Sequence, residues 1–131
     1  MAGQIILKFP KGFLWGVSTS AYQIEGGIDN DWSRWEKESG SRNQEAGSEN
    51  FNNFICGQAC DSYNRYEEDL DLVKKLNCGA YRMGLEWARL EPEQGKFNQA
   101  EIDHYRKVLE AAKKRNLKVA LTLWHWTNPL W

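Results

Sequence analysis

The groups that could do chemistry in this 131-residue chain stand in three places, each at the end of an apolar run. Gln23 and Glu25 follow Phe13-Leu14-Trp15-Gly16-Val17-Ser18. Arg82, Glu86 and Arg89 lie in and after a second run, and His125, Trp126 and Asn128 close a third. A Gln amide carries both donors and an acceptor, which suits paired bonds to neighbouring hydroxyls of a sugar; it serves equally as a loop amide bonded to backbone. An Arg set among apolar residues must find carboxylates if it is buried, here Glu86 or an acid of another strand. A flat Trp face beside a His is suited to stacking on a pyranose ring, although large aromatic side chains also serve as core. The three places agree with one another, and that agreement carries more than any one residue.

The elements that must position these groups follow from periodicity. Residues 13–18 read as a short, fully buried strand. Residues 31–37 give one or two helical turns, with Trp32 and Trp35 on one face. The composition from 38 to 58 turns to Ser, Gly, Asn and Glu, which predicts a long polar loop within one domain. Over 61–76, Tyr63, Tyr66, Leu70, Val73 and Leu76 recur at helical steps. Asp61 is placed to cap that helix, Lys74 and Lys75 suit its last turn, and Asn77-Cys78-Gly79 suits its stop. Residues 80–87 alternate as a strand, with Tyr81, Met83, Leu85 and Trp87 on one side and Arg82, Gly84 and Glu86 on the other. Asn98 with Glu101 resembles a capping box. It opens a helix whose apolar face holds Ile102, Tyr105, Leu109 and Ala112, with His104 on the solvated side. Residues 118–124 are a third strand. The order is a parallel βαβ pattern with right-handed crossovers, and every strand ends in its polar or aromatic groups, where parallel α/β folds place their sites. Pattern alone leaves a barrel and an open sheet both standing.

Composition excludes other classes. A net charge of −1 gives no field for nucleic acid or an acidic membrane surface. No run approaches the roughly 18 apolar residues of a membrane span, and no G-x-G-x-x-G or G-x-x-x-x-G-K-[ST] fingerprint occurs. Cys56, Cys60 and Cys78 are an odd count, and Cys56-x-x-x-Cys60 lacks a second pair of ligands for zinc, so no metal is expected. The odd thiols and the lack of a signal-type leader or an N-x-[ST] site favour a reducing, cytoplasmic setting.

The stretch Phe13-Leu14-Trp15-Gly16-Val17-Ser18-Thr19-Ser20-Ala21-Tyr22-Gln23-Ile24-Glu25-Gly26-Gly27 resembles the N-terminal signature of glycoside hydrolase family 1, the β-glucosidase and β-glycosidase family. Three further blocks resemble the family in order. They are Asp61-Ser62-Tyr63-x-Arg65-Tyr66-x-Glu68-Asp69, Tyr81-Arg82-Met83-Gly84-Leu85-Glu86-Trp87-Ala88-Arg89-Leu90-Glu91-Pro92, and Leu121-Thr122-Leu123-Trp124-His125-Trp126-Thr127-Asn128-Pro129. The departures are Ser62 where His is frequent, Glu86 where a small polar residue is frequent, and Asn128 where Leu is frequent.

The resemblance runs from about residue 9 to 131. It implies an α/β fold, a (β/α)8 TIM barrel of about 250 residues, of which this chain supplies about the first three strands as part of one glycosidase domain. It implies a retaining β-glycosidase whose two carboxylates stand about 5 Å apart. The family's acid/base and nucleophile motifs are not in this sequence, so both catalytic Glu are expected beyond its C-terminus and the isolated chain is expected to be inactive. Gln23, His125 and Trp126 are the substrate-binding residues the resemblance implies. Arg82 is the residue that supports the nucleophile, and Glu86 reads as a buried partner. No cofactor is implied; the partners are a small β-glycoside or oligosaccharide and the remainder of the barrel. The alternatives are a non-catalytic carbohydrate-binding module and a self-assembling partial barrel.

Overall fold

The computed structural model describes residues 7–45 and 55–131. The elements run β1 (Gly16–Ser18), α1 (Ala21–Glu25), α2 (Asp31–Glu45), α3 (Ser62–Lys75), β2 (Ala80–Gly84), α4 (Trp87–Leu90), α5 (Gln99–Lys114) and β3 (Lys118–Thr122). The three strands pair in parallel in the order β1-β2-β3, with Ser18 opposite Arg82 and Gly84 opposite Thr122. This is the predicted parallel pattern, with α3 and α5 in the crossovers.

Strand alternation divides the sheet into two unlike faces. Tyr81 and Met83 point to one side, where they meet Leu70 and Val73 of α3 and Tyr105, Val108, Ala111 and Ala112 of α5, all buried in one cluster. Each of the larger aliphatic side chains in it removes apolar surface worth roughly 1.5–3 kcal/mol. Arg82 points to the other side and is exposed. The predicted alternation therefore holds through Gly84.

Both crossover helices stop by the same device. Asn77 and Asn116 take positive φ (58° and 55°). The N–H of Cys78 then reaches back to Val73 O, and that of Leu117 to Ala112 O. These six-to-one closures satisfy carbonyls that would otherwise be orphaned. At the start of α5, Asn98 caps the helix by accepting from Ala100 N–H at 3.0 Å, one position short of the predicted capping box. Glu101 accepts from the Tyr63 hydroxyl instead of reaching back.

Several expectations need correction. Residues 13–15 precede β1, and Phe13, Leu14 and Trp15 are about half exposed, because β1 has one neighbouring strand and nothing covers its far edge among the described residues. Asp61 stands at the start of α3 in the left-handed region (φ 54°), which turns its carboxylate away from the helix N–H groups; its Oδ1 accepts from Asn64 Nδ2 at 2.7 Å. β2 ends at Gly84, since Glu86 begins α4 with its carbonyl accepting from Arg89 and Leu90 N–H. β3 ends at Thr122, before a turn through positive φ at Trp126.

The helix predicted over 31–37 runs to Glu45, into the polar segment. Its start is strongly fixed: Asn30 Oδ1 accepts from Ser33 N–H and Ser33 Oγ accepts from Asn30 N–H, both at 2.9 Å. Once nucleated, a helix extends through Ser and Gly at a cost of about 1 kcal/mol or less each. The rest of the predicted 38–58 loop lies outside the described residues, apart from 55–58. His104 is half-buried rather than solvated: its ring stacks on Tyr63 at 3.8 Å between α3 and α5, and burial lowers its pKa.

Candidate functional site: a cleft at the strand ends

The C-terminal ends of all three strands open on one side. α1 follows β1 by two residues and presents Gln23, whose amide is exposed and has no hydrogen-bond partner among the described residues. The turn after β3 presents His125 and Trp126. Gln23, His125 and Trp126 line one cleft of about 460 Å³, together with Tyr22, Trp32 and Glu36. The structure therefore brings these predicted binding residues together from segments about 100 positions apart.

Two buried polar atoms at this cleft lack a well-formed protein hydrogen bond among the described residues, Tyr22 Oη, which lies beside the Glu36 carboxylate, and His125 Nδ1. Buried polar groups nearly always have partners, so such atoms mark places where a ligand hydroxyl can bond. The Tyr22 hydroxyl is held protonated by burial and by the neighbouring Glu36 carboxylate, and so remains a donor. Glu36 is itself buried and accepts from Cys56 N–H at 3.0 Å. Burial pushes the Cys56 thiol pKa up, and the thiol donates to Tyr22 O at 2.9 Å, which leaves it a poor nucleophile.

Trp126 is held in an uncommon backbone state. Its φ is 74°, which costs a non-glycine residue about 1–3 kcal/mol, and its ring is 69% exposed. The bonds on either side hold it there. Trp124 Nε1 donates to Thr127 O at 3.1 Å, and Thr127 Oγ1 donates to the Glu86 carboxylate at 3.1 Å. Asn128 gives two bonds to the Asp31 carboxylate, from N–H at 2.9 Å and from Nδ2 at 2.8 Å. Asn128, a departure from the family pattern, thus locks the turn to the first residue of α2.

Glu86 is 1% exposed. It is a buried partner as expected, though its contacts are Asn30 Nδ2 at 3.2 Å and Thr127, not Arg82. Desolvation raises its pKa, and those hydrogen bonds oppose the rise. Glu25 is likewise buried, two residues beyond Gln23 on α1. It accepts from the Tyr105 hydroxyl at 2.9 Å and from Arg89 Nε at 3.0 Å. Burial lifts its pKa to about 7 against both partners. Arg89 also donates to Gly26 O at 2.6 Å and lies over the Tyr63 ring at 4.2 Å. Gly26 has φ 80°, and a Cβ there would come within 2.2 Å of Gln58 O, so only glycine fits.

Arg82 stands apart from the cleft, on the uncovered sheet face. Its Nε donates to Thr122 Oγ1 at 3.0 Å and its Nη1 to Ser18 Oγ at 3.3 Å, so one guanidinium ties the three strands. It has no carboxylate partner among the described residues, against the expectation for a buried charge, because that face is open. A guanidinium with donors left over can still take a carboxylate.

Sequence reasoning missed the Asn30–Glu86–Thr127 and Asp31–Asn128 bonds and the role of Tyr105. Their signal was faint: Asn30 directly before a helix and Asp31 in its first turn are cap-type residues, and a Glu at a strand end needs a partner. Among the described residues no group of three or more His, Cys, Asp or Glu could hold a metal, and no helix is long and apolar enough to cross a membrane.

Comparison with known proteins bears on the family and the fold. The profile of Glycosyl hydrolase family 1 matches residues 6–131. The 1,4-beta-D-glucan glucohydrolase of Thermotoga neapolitana is 39% identical over 127 residues, covering 93% of this chain and 28% of the relative. The cytosolic beta-glucosidase of Homo sapiens is 37% identical over 131 residues, covering 94% of this chain and 26% of the relative. Among solved structures, the family 1 β-glucosidase from Thermotoga maritima superposes with a TM-score of 0.81 at 34% identity, over 95% of this chain and 28% of that one. The chain thus spans about 28% of the length of the relatives it matches. It belongs to glycosyl hydrolase family 1, and its sheet is three parallel strands of that family's TIM-barrel fold.

Proposed function

We propose that the chain supplies the sugar-gripping sector of a retaining β-glycosidase that hydrolyses terminal β-linked sugars. The observation that carries this is the convergence of Gln23, His125 and Trp126 on one cleft at the strand ends, with the buried Tyr22 and His125 atoms that lack a well-formed hydrogen bond beside them. The Gln23 amide donates to one hydroxyl and accepts from its neighbour. His125 takes a further hydroxyl, and the exposed Trp126 ring walls the pocket. Arg82 keeps the nucleophilic carboxylate ionised and oriented.

The two carboxylates of the double displacement come, in this reading, from barrel strands beyond residue 131. The acids near the strand ends support that division: Glu25 and Glu86 are buried and committed to Tyr105, Arg89, Asn30 and Thr127, Glu36 accepts from Cys56 N–H, and Glu91 accepts from Trp87 Nε1 and Gly95 N–H. The partners are a small β-glycoside and the rest of the barrel, as a further segment or a second chain. The free thiols of Cys56, Cys60 and Cys78 support a reducing, cytoplasmic compartment.

The test is hydrolysis of a chromogenic β-glucoside by a barrel completed with the remaining strands of a family 1 relative. Gln23→Ala and His125→Ala should each lower kcat/KM by about a hundredfold. Unchanged turnover in both variants would remove the site assignment.

A further inference from the structure

The cleft's two walls come from different ends of the chain, yet they share one buried joint. Tyr105 sits on α5, is 4% exposed, and makes no contribution to the cleft surface. Its hydroxyl donates to the Glu25 carboxylate, with both oxygens at 2.9–3.0 Å, and accepts from Glu86 N–H at 3.1 Å. The donor and an acceptor site of one hydroxyl are therefore used, one toward each wall. Glu25 closes α1, two residues after Gln23. The Glu86 carboxylate receives Thr127 Oγ1 and Asn30 Nδ2, and Asn30 begins the helix whose Asp31 holds Asn128. The path from Gln23 to Trp126 thus runs through Glu25, Tyr105, Glu86 and Thr127, every member buried.

Burial makes these bonds consequential. Removing one partner leaves a desolvated acceptor or donor, which the chain relieves by moving. The bulk of the Tyr105 ring belongs to the core, whereas its hydroxyl does nothing for packing against Leu70 or Val108.

We propose that Tyr105 is a positioning residue of the sugar site: its hydroxyl couples the α1 wall that carries Gln23 to the post-β3 turn that carries His125 and Trp126, so that both grip one ring in a fixed frame. The sugar role rests on the function proposed above; the coupling does not.

The coupling is tested by amide hydrogen exchange on the full chain, comparing Tyr105→Phe with Arg115→Ala. Arg115 ties α5 to Asp71 and Glu67 of α3, far from the path, and serves as the control for general destabilisation. Tyr105→Phe should speed exchange by about tenfold at residues 23–27 and at Asp31 and Asn128 together, with α3 and the rest of α5 unchanged. Arg115→Ala should act on α3 and α5 and spare both walls. Uniform acceleration by Tyr105→Phe, or acceleration at one wall only, overturns the coupling. So does a chain whose amides all exchange at unfolded rates. In the completed barrel, Tyr105→Phe should lower kcat/KM by about tenfold while Arg115→Ala does not. Coupled exchange in a barrel that never turns over a β-glucoside would sink the sugar reading and leave the coupling standing.

Discussion

The two faces of the sheet are finished to different degrees. On the outer face, Tyr81 and Met83 are sealed by α3 and α5, and Leu70 and Ala112 have almost no exposure. On the inner face, Arg82 donates to Ser18 and to Thr122 in the open. Half of a two-sided α/β layer is thus complete within the chain. The other half consists of small and polar residues that make sense against further strands. In the proposed reading the same division separates stability from function: the helix-packed face holds the fold, and the open face and its rim hold the groups assigned to the sugar.

Substitutions on the two faces should differ most. Leu70→Ala leaves a cavity in the sealed face and should cost about 2–5 kcal/mol in denaturant unfolding. Thr122→Val, which removes a bond on the open face, should cost about 1 kcal/mol or less. Similar losses for the two would erase the distinction.

Acid and base sharpen the comparison at the rim. Glu25 has a folded pKa of about 7 against an ordinary value near 4.5, and burial raises Glu86 in the same direction. The folded chain therefore binds protons more tightly than the unfolded one. Stability should be highest below about pH 4.5 as far as these groups are concerned, and should fall as pH rises toward 7. From Glu25 alone the fall is on the order of 3 kcal/mol. Glu25→Gln should flatten that part of a pH–stability curve; an unchanged slope would mean that the buried carboxyl does not set it.

Smaller effects follow at single bonds. Glu86→Ala strands Asn30 Nδ2 and Thr127 Oγ1 and should cost about 1–3 kcal/mol, with the exchange at Asn128 rising ahead of global unfolding. Asn98→Ala removes the one side-chain cap of α5 and should lower stability by about 1 kcal/mol, read as a Tm shift.

The sequence made the crossover helices and strand order legible because both depend on local periodicity and on stops such as Asn77 and Asn116. It pointed to Gln23, His125 and Trp126, which the fold brings to one cleft, because their blocks are contiguous. It hid the length of α2, where a capped start outweighs a run of weak helix formers. The Glu25–Tyr105–Glu86 path was hidden for another reason: it joins residues up to 80 positions apart. Tyr105 looked like any apolar-face residue, since periodicity reports which side a residue faces and says nothing of its hydroxyl. His104 was misread in the same way, because a stacked partner on α3 is invisible from α5 alone.

The central claim is that this chain grips the sugar while other strands cut the bond. It is tested most directly by measuring intact mass and chromogenic β-glucoside hydrolysis on one sample, before and after the remaining barrel strands are supplied. The account predicts no turnover from a 15.2 kDa species alone and turnover once the barrel is complete. Hydrolysis by the 15.2 kDa chain by itself would contradict it.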